Sequence, residues 1–364
     1  MLLVFCGGKH DPNVVLAGLT EAFPGVPIVG GSAAGVISRE GLGISGVEIG
    51  VVAVLDPSHA PKVLSTRMTA GQEFEAGARL GEELRAAAHE NALVLLFYDS
   101  VASTDPLRLH YGSSIVAGLN SRLRERRVLL VGAGMLTDLN LTGGWIFDGN
   151  RAVKHAAVAL VFPPELTADL QILHGCAPAG DFMTITKVGG AEVFELDGQP
   201  ALQVIEKRLG LPVDANLSLV ATLGQKIGDR YAPYSEKNYV NRLILSGSRD
   251  RGSILLFEPD FPLGTSVQIM SRNDETMFSS VHRGVREINQ VIAHSQCLLG
   301  LYIDCAGRAA LHSGTRIEEA DVVRSDMDVR APLMGFYSGV EIAPFNGSPR
   351  ALDWTGVLVA IRRA

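Results

Sequence analysis

Pro27-Ile28-Val29-Gly30-Gly31-Ser32-Ala33-Ala34-Gly35-Val36-Ile37 carries more information about the fold than any other stretch of this chain. A short apolar strand runs into glycines, which tolerate φ > 0 and let another backbone come close. The pattern returns as Leu129-Leu130-Val131-Gly132-Ala133-Gly134-Met135. It returns again as Leu333-Met334-Gly335-Phe336-Tyr337-Ser338-Gly339-Val340-Glu341-Ile342. A strand-to-glycine hinge used three times implies a duplicated scaffold.

The first hinge is preceded by a strand at 2–5 and a helix opened by Asp11-Pro12, an N-cap followed by Pro at the first helical position. Strands at 47–55 and 62–68 follow it. The second hinge repeats the order: a strand at 92–98, Asp105-Pro106 opening a helix that ends near Arg126, a hinge strand at 128–131, and strands at 144–147, 156–162 and 170–173. Residues 184–188 and 192–196 flank Gly189-Gly190 as a hairpin, and a helix at 201–209 comes next. Strands at 217–223, 243–246, 252–257 and 298–303, a helix at 318–326, the third hinge and a strand at 356–361 complete the chain. The fold expected is α/β, with internally duplicated β-α-β-β units forming mixed sheets and helices packed on the outside. Two domains are read: 1–198, itself duplicated as about 1–90 and 91–198, and 199–364.

Composition narrows the function. Hydrophobic residues make up 47% of the 364, enough for large cores, while a net charge of -7 argues against a nucleic-acid surface. The one dense basic run, Arg122 to Arg127, sits at a helix end, where it complements the helix dipole. Apolar runs fall short of the ~20 residues of a membrane span, and the start has no basic leader, so the setting expected is cytoplasmic. The four cysteines form no Cys-x-x-Cys pair, which fits reduced thiols and no structural zinc.

The hinges are not nucleotide loops: Ser32 stands where the second Gly of Gly-x-Gly-x-x-Gly belongs, and no Walker Lys follows. Two readings remain for them. Freed N–H groups at Gly31, Ser32, Gly335 and Gly339 bind a carboxylate, or the turns are bends where strands change sheets. Cys305 and Arg308 follow a buried strand, where an Arg can clamp a carboxylate and lower a thiol pKa, or else bridge to Glu319 or Glu341. Tyr337 and Glu341 could hold the amino end of an amino acid. His174 and Cys176 could supply a haem ligand, with His294 and Cys297, one turn apart near a helix end, a weaker pair. Cys305 with His312 would make a Cys-dependent enzyme.

These residues resemble the FIST proteins, a sensory module of signal transduction. The resemblance lies in Val29-Gly30-Gly31-Ser32-Ala33-Ala34-Gly35, then His174-Gly175-Cys176-Ala177-Pro178-Ala179-Gly180 and Glu195-Leu196-Asp197-Gly198-Gln199-Pro200-Ala201. It continues in Tyr239 to Arg242, Arg272-Asn273-Asp274, Cys305-Ala306-Gly307-Arg308, Glu319, the third hinge and Trp354-Thr355. It implies an N-terminal and a C-terminal FIST domain, binding of a small ligand such as an amino acid or small carboxylate, no catalysis, and a signalling partner reached in trans. Some members are described as haem-binding nitric-oxide sensors that regulate a partner kinase, which is the alternative. The chain departs from the family pattern at Gly31, often Cys, at Val36, often an acid, and at His174, often Gln; Val340 shifts the acid at Glu341.

Overall fold

The computed structural model describes residues 1–210, 212 and 221–364. Three units of one plan make up most of it. Each opens with a parallel pair joined through helix: Leu2–Gly7 with Ile28–Ala33, Ala92–Asp99 with Val128–Met135, and Cys297–Cys305 with Leu333–Ser338. The second strand of each pair is a hinge strand. The helices in these crossovers are α1 (Pro12–Ala22), α3 (Gly112–Leu123) and, in the third unit, the short α6 (Ala310–Ser313) with α7 (Glu319–Asp326). Two further helices, α2 (Glu73–Ala87) and α5 (Asp274–Ile292), lie against α3 and α7.

Past each hinge the chain leaves its own sheet. Val36–Ser38 pairs with the third hinge strand, Ile146–Gly149 with the first, and Glu341–Phe345 with the second. The register repeats as well: Gly335 faces Ile37, Gly31 faces Ile146 and Gly132 faces Ile342. The chain then returns home antiparallel, Ile49–Ala53 to Leu2–Gly7, Ala156–Val161 to Ala92–Asp99, and Gly356–Arg363 to Cys297–Cys305. The units are thus interlocked in a cycle, and the fold class read from the hinges is what the structure contains.

Glycine is required at the handover. A Cβ on Gly132 would overlap the Leu96 carbonyl, and one on Gly335 the Tyr302 carbonyl, of the neighbouring parallel strand. No other residue lets the strands lie that close while the chain turns away. Around the hinges the large core packs Phe5, Phe97 and Phe336, one aromatic from each unit, with Phe5 stacked on Phe336 at 4.1 Å.

In the chain between the second and third units lies a six-stranded closed barrel. Met183–Gly189, Glu192–Leu196, Ser253–Leu256, Tyr239–Ser248, Ala221–Lys226 and Ser266–Ser271 pair in that order, and the last closes on the first. The boundary read at 198–199 falls within this ring, just before α4 (Ala201–Leu209). The strand expected at 217–223 starts outside the described residues; its described part is in Ala221–Lys226.

One helix start differs from expectation. Asp105-Pro106 is a cis peptide in the turn of a hairpin, Val101–Thr104 with Leu107–Leu109, and α3 begins later at Gly112. Its free N–H groups are met from afar: buried Glu258 accepts from Gly112 at 2.9 Å and Ser113 at 2.8 Å. The cap is tertiary, so a local motif search has nothing to find.

Candidate functional site

The three hinges converge on the third. Ala34 N–H donates to the Tyr337 carbonyl at 3.1 Å, and Tyr337 N–H to the Gly35 carbonyl at 3.0 Å. Gly339 N–H donates to Gly134 at 2.8 Å, and Gly134 N–H to Val340 at 2.8 Å. Ser32 N–H donates to the Trp145 carbonyl at 3.0 Å. Of the amides expected to hold a carboxylate, those of Ser32 and Gly339 donate within the protein, Gly31 and Gly335 lie in strands paired on both sides, and all four residues are buried. These turns are the bends at which strands change sheets.

Arg308 is likewise turned inward. It is fully buried, and its Nε donates to Asp304 Oδ1 at 3.1 Å. Its Nη1 donates to the carbonyls of His174 and Trp354, both at 3.0 Å, and its Nη2 to Glu319. With four bonds made inside the protein, the guanidinium is a cross-link, and the clamp reading gives way to bridging. The bridge is to Glu319 and Asp304, not Glu341.

Tyr337 donates its hydroxyl to Glu318 at 2.7 Å. Glu341 is wholly buried, where Ser338 Oγ lies at 2.7 Å and Thr355 N–H at 3.3 Å. Burial pushes its carboxyl well above the usual range, helped by the neighbouring Asp353 and Asp304 charges. Ser338 Oγ donates to Glu341 and also lies 3.0 Å from the Asp304 carbonyl. A carboxyl enclosed in this way, with both oxygens already accepting inside the protein, is a poor partner for an ammonium group.

Cys305 borders a small cleft of about 130 Å³ together with His312, Ser338 and Gly339. Burial raises its thiol far above the usual value, so the thiolate that nucleophilic catalysis needs is scarce. His174 and Cys176 do not fit haem ligation. His174 Nδ1 accepts from Cys176 N–H at 3.0 Å and Nε2 donates to Glu236 O at 2.9 Å, so neither nitrogen has a free lone pair. Burial also lowers the His174 pKa and lifts the Cys176 thiol to about 12. His294 lies beyond the end of α5 and Cys297 opens a strand, so they do not share a helix face.

Sequence reasoning missed the groove beside His174. Gly175 and Ala177, residues 234–237 and α5 from Glu275 to Glu287 wall a space of about 590 Å³. At its edge the Glu236 carboxylate is gripped from several sides. Oε1 accepts from His174 N–H at 2.5 Å, Gly175 N–H at 2.7 Å and Ser280 Oγ at 2.7 Å, while Oε2 pairs with Arg283. Burial opposes its ionisation, but the neighbouring His174 and the donated bonds outweigh it and hold the carboxyl below its ordinary range. Gly175 is at φ +63, and a Cβ there would overlap the Met277 backbone, so glycine lets the cradle form against α5. Lys237 and Glu287, paired at 3.0 Å, and Glu275 add charges of both signs to the walls. The local signals available there are the Asn273 capping box that opens α5 and the helical spacing of that helix's apolar residues.

Fold and groove define the class: an α/β protein of interlocked hinge units with a charged groove of small-molecule size. Residues 1–199 match the FIST N domain and residues 201–344 the FIST C domain. The chain belongs to the FIST family, whose domains are associated with sensing in signal transduction and with small-ligand binding. No curated protein sequence matches it. Among the described residues no helix is long and apolar enough to cross a membrane.

Proposed function

We propose that this protein is a sensor that binds a small carboxylate or amino acid in the groove beside His174, performs no chemistry on it, and signals by contact with a partner protein. The carrying observation is Arg283, which stands on the groove wall with its side chain 45% exposed and spends one guanidinium nitrogen on Glu236. A guanidinium suits the α-carboxylate of an amino acid, and Glu275 and Glu287 on the groove wall suit its ammonium group. Binding there would reach the hinges by a short route: the His174 carbonyl is held by Arg308, which also holds Asp304 and Glu319 beside the third hinge. Four free cysteines are in keeping with a reducing, cytoplasmic setting.

Thermal-shift and calorimetric titration with glutamate, glycine, succinate and acetate tests this. At least one should stabilise the protein, and Arg283→Ala should abolish that response while leaving a folded circular-dichroism spectrum. No stabilisation by any of the four, or an undiminished response in Arg283→Ala, rejects the site.

A further inference from the structure

The cyclic plan leaves one place uncovered. In the second unit the return strand Ala156–Val161 is flanked on its outer side by Lys62–Arg67, supplied by the first unit. In the third, Gly356–Arg363 is flanked by Leu166–Leu173, supplied by the second. Both pairings are antiparallel. The equivalent strand of the first unit, Ile49–Ala53, ends its sheet, and among the described residues nothing pairs with its outer edge.

Burial follows this difference. Every residue of Ala156–Val161 is buried, as are the first six of Gly356–Arg363. In the first unit Val47, Ile49 and Val51 are 56%, 43% and 42% exposed, and Leu55 is 87% exposed. The helix layer repeats the contrast. α2 covers α3 and α5 covers α7, whereas α1 buries no residue and leaves Val14 69% exposed. An edge strand of this kind is normally guarded by Lys, Pro or a bulge. Residues 47–55 contain neither Lys nor Pro, and the strand pairs with Leu2–Gly7 in unbroken register.

We propose that a second copy of this chain covers this edge, the two Ile49–Ala53 strands pairing antiparallel about a two-fold axis at Val51. Two features select a second copy. Identical strands related by a two-fold axis can pair only antiparallel, the sense the other two units use at this position. The outward stripe Val47, Ile49, Val51, Ala53 and Leu55 carries no charge, so it meets its own image without repulsion, Val51 opposite Val51 and Ile49 opposite Ala53. Helix α1 of the same unit has Glu21 as its one ionisable residue and leaves Val14 exposed. The joined sheet would run through ten strands, five from each copy.

Light scattering coupled to gel filtration, over a concentration series of the full chain, reads the outcome. The wild type should show twice the 38.7 kDa chain mass. Val51→Lys and Val51→Asp should each fall to the single mass with unchanged circular dichroism, and mixing the two should restore the double mass. A wild type that stays monomeric throughout overturns the proposal. So does a Val51→Lys protein that keeps the double mass, since the copies would then meet elsewhere.

Discussion

Removing the Arg308 guanidinium separates a structural cross-link from a ligand clamp. Arg308→Met keeps much of the side-chain volume but deletes four hydrogen bonds. It leaves the Asp304 and Glu319 carboxyls, both wholly buried, without their cation. Breaking one side of a buried ion pair costs about 3–5 kcal/mol. The stranded His174 and Trp354 carbonyls belong to the same network, so their loss is not added as a separate sum.

The expected outcome is therefore a total loss of about 3–5 kcal/mol in urea unfolding at neutral pH. The loss should shrink as pH falls, because burial already raises the Asp304 carboxyl and its protonation removes the uncompensated charge. Adding Asp304→Asn and Glu319→Gln to Arg308→Met should recover part of the stability, since the neutral set no longer buries charge. A single-variant loss below about 1 kcal/mol refutes the cross-link reading, because that is the scale of an exposed pair. So does full stability combined with lost ligand binding, which is the behaviour of a clamp.

Three other variants have outcomes set by packing and burial. Gly132→Ala forces a Cβ into the Leu96 carbonyl and should lower stability by about 1–3 kcal/mol or more. Gly18→Ala, on α1 with open space around it, should raise stability by roughly 0.5–1 kcal/mol, and equal thermal-unfolding midpoints for the two would contradict the close-approach argument. Glu341 has a folded-state pKa raised by burial, so the stability it contributes is present below its unfolded value and is lost as pH rises through the folded one. Glu341→Gln should flatten that decline in pH-dependent urea unfolding, and an unchanged slope would show that the carboxyl is not held neutral.

Much of the fold was legible because its cause is local. The hinges announce themselves through glycine, since the close backbone approach at Gly132 and Gly335 excludes any side chain. Asp11-Pro12 opens α1 as read, with the Asp11 carboxylate accepting from Asn13 at 2.8 Å. Asp105-Pro106 misled because the same dipeptide also suits a hairpin turn, and the true start of α3 is capped by Glu258 from a distant loop. Helix α5, which forms one wall of the groove, was not read from the sequence, although its buried Met277, Val281, Val285, Ile288 and Ile292 recur at helical spacing.

The repeated units, the family and the close-packed glycine positions could be read along the chain, because each depends on residues adjacent in it. Which polar groups remain open to a ligand could not, and emerged with the three-dimensional fold. Arg308, Tyr337 and Glu341 looked available in one dimension, yet their partners Asp304, Glu318, Glu319 and Ser338 consume them within the core. Glu236 and Arg283 drew no notice in the sequence, and the fold brings them, 47 residues apart in the chain, to one groove wall. A buried polar group is open to a ligand only if no neighbour in the fold already satisfies it. Here those neighbours lie only 3 to 19 residues away along the chain, in the third unit's own strands and at its helix α7, and it is the folding of that unit that turns their side chains toward one another.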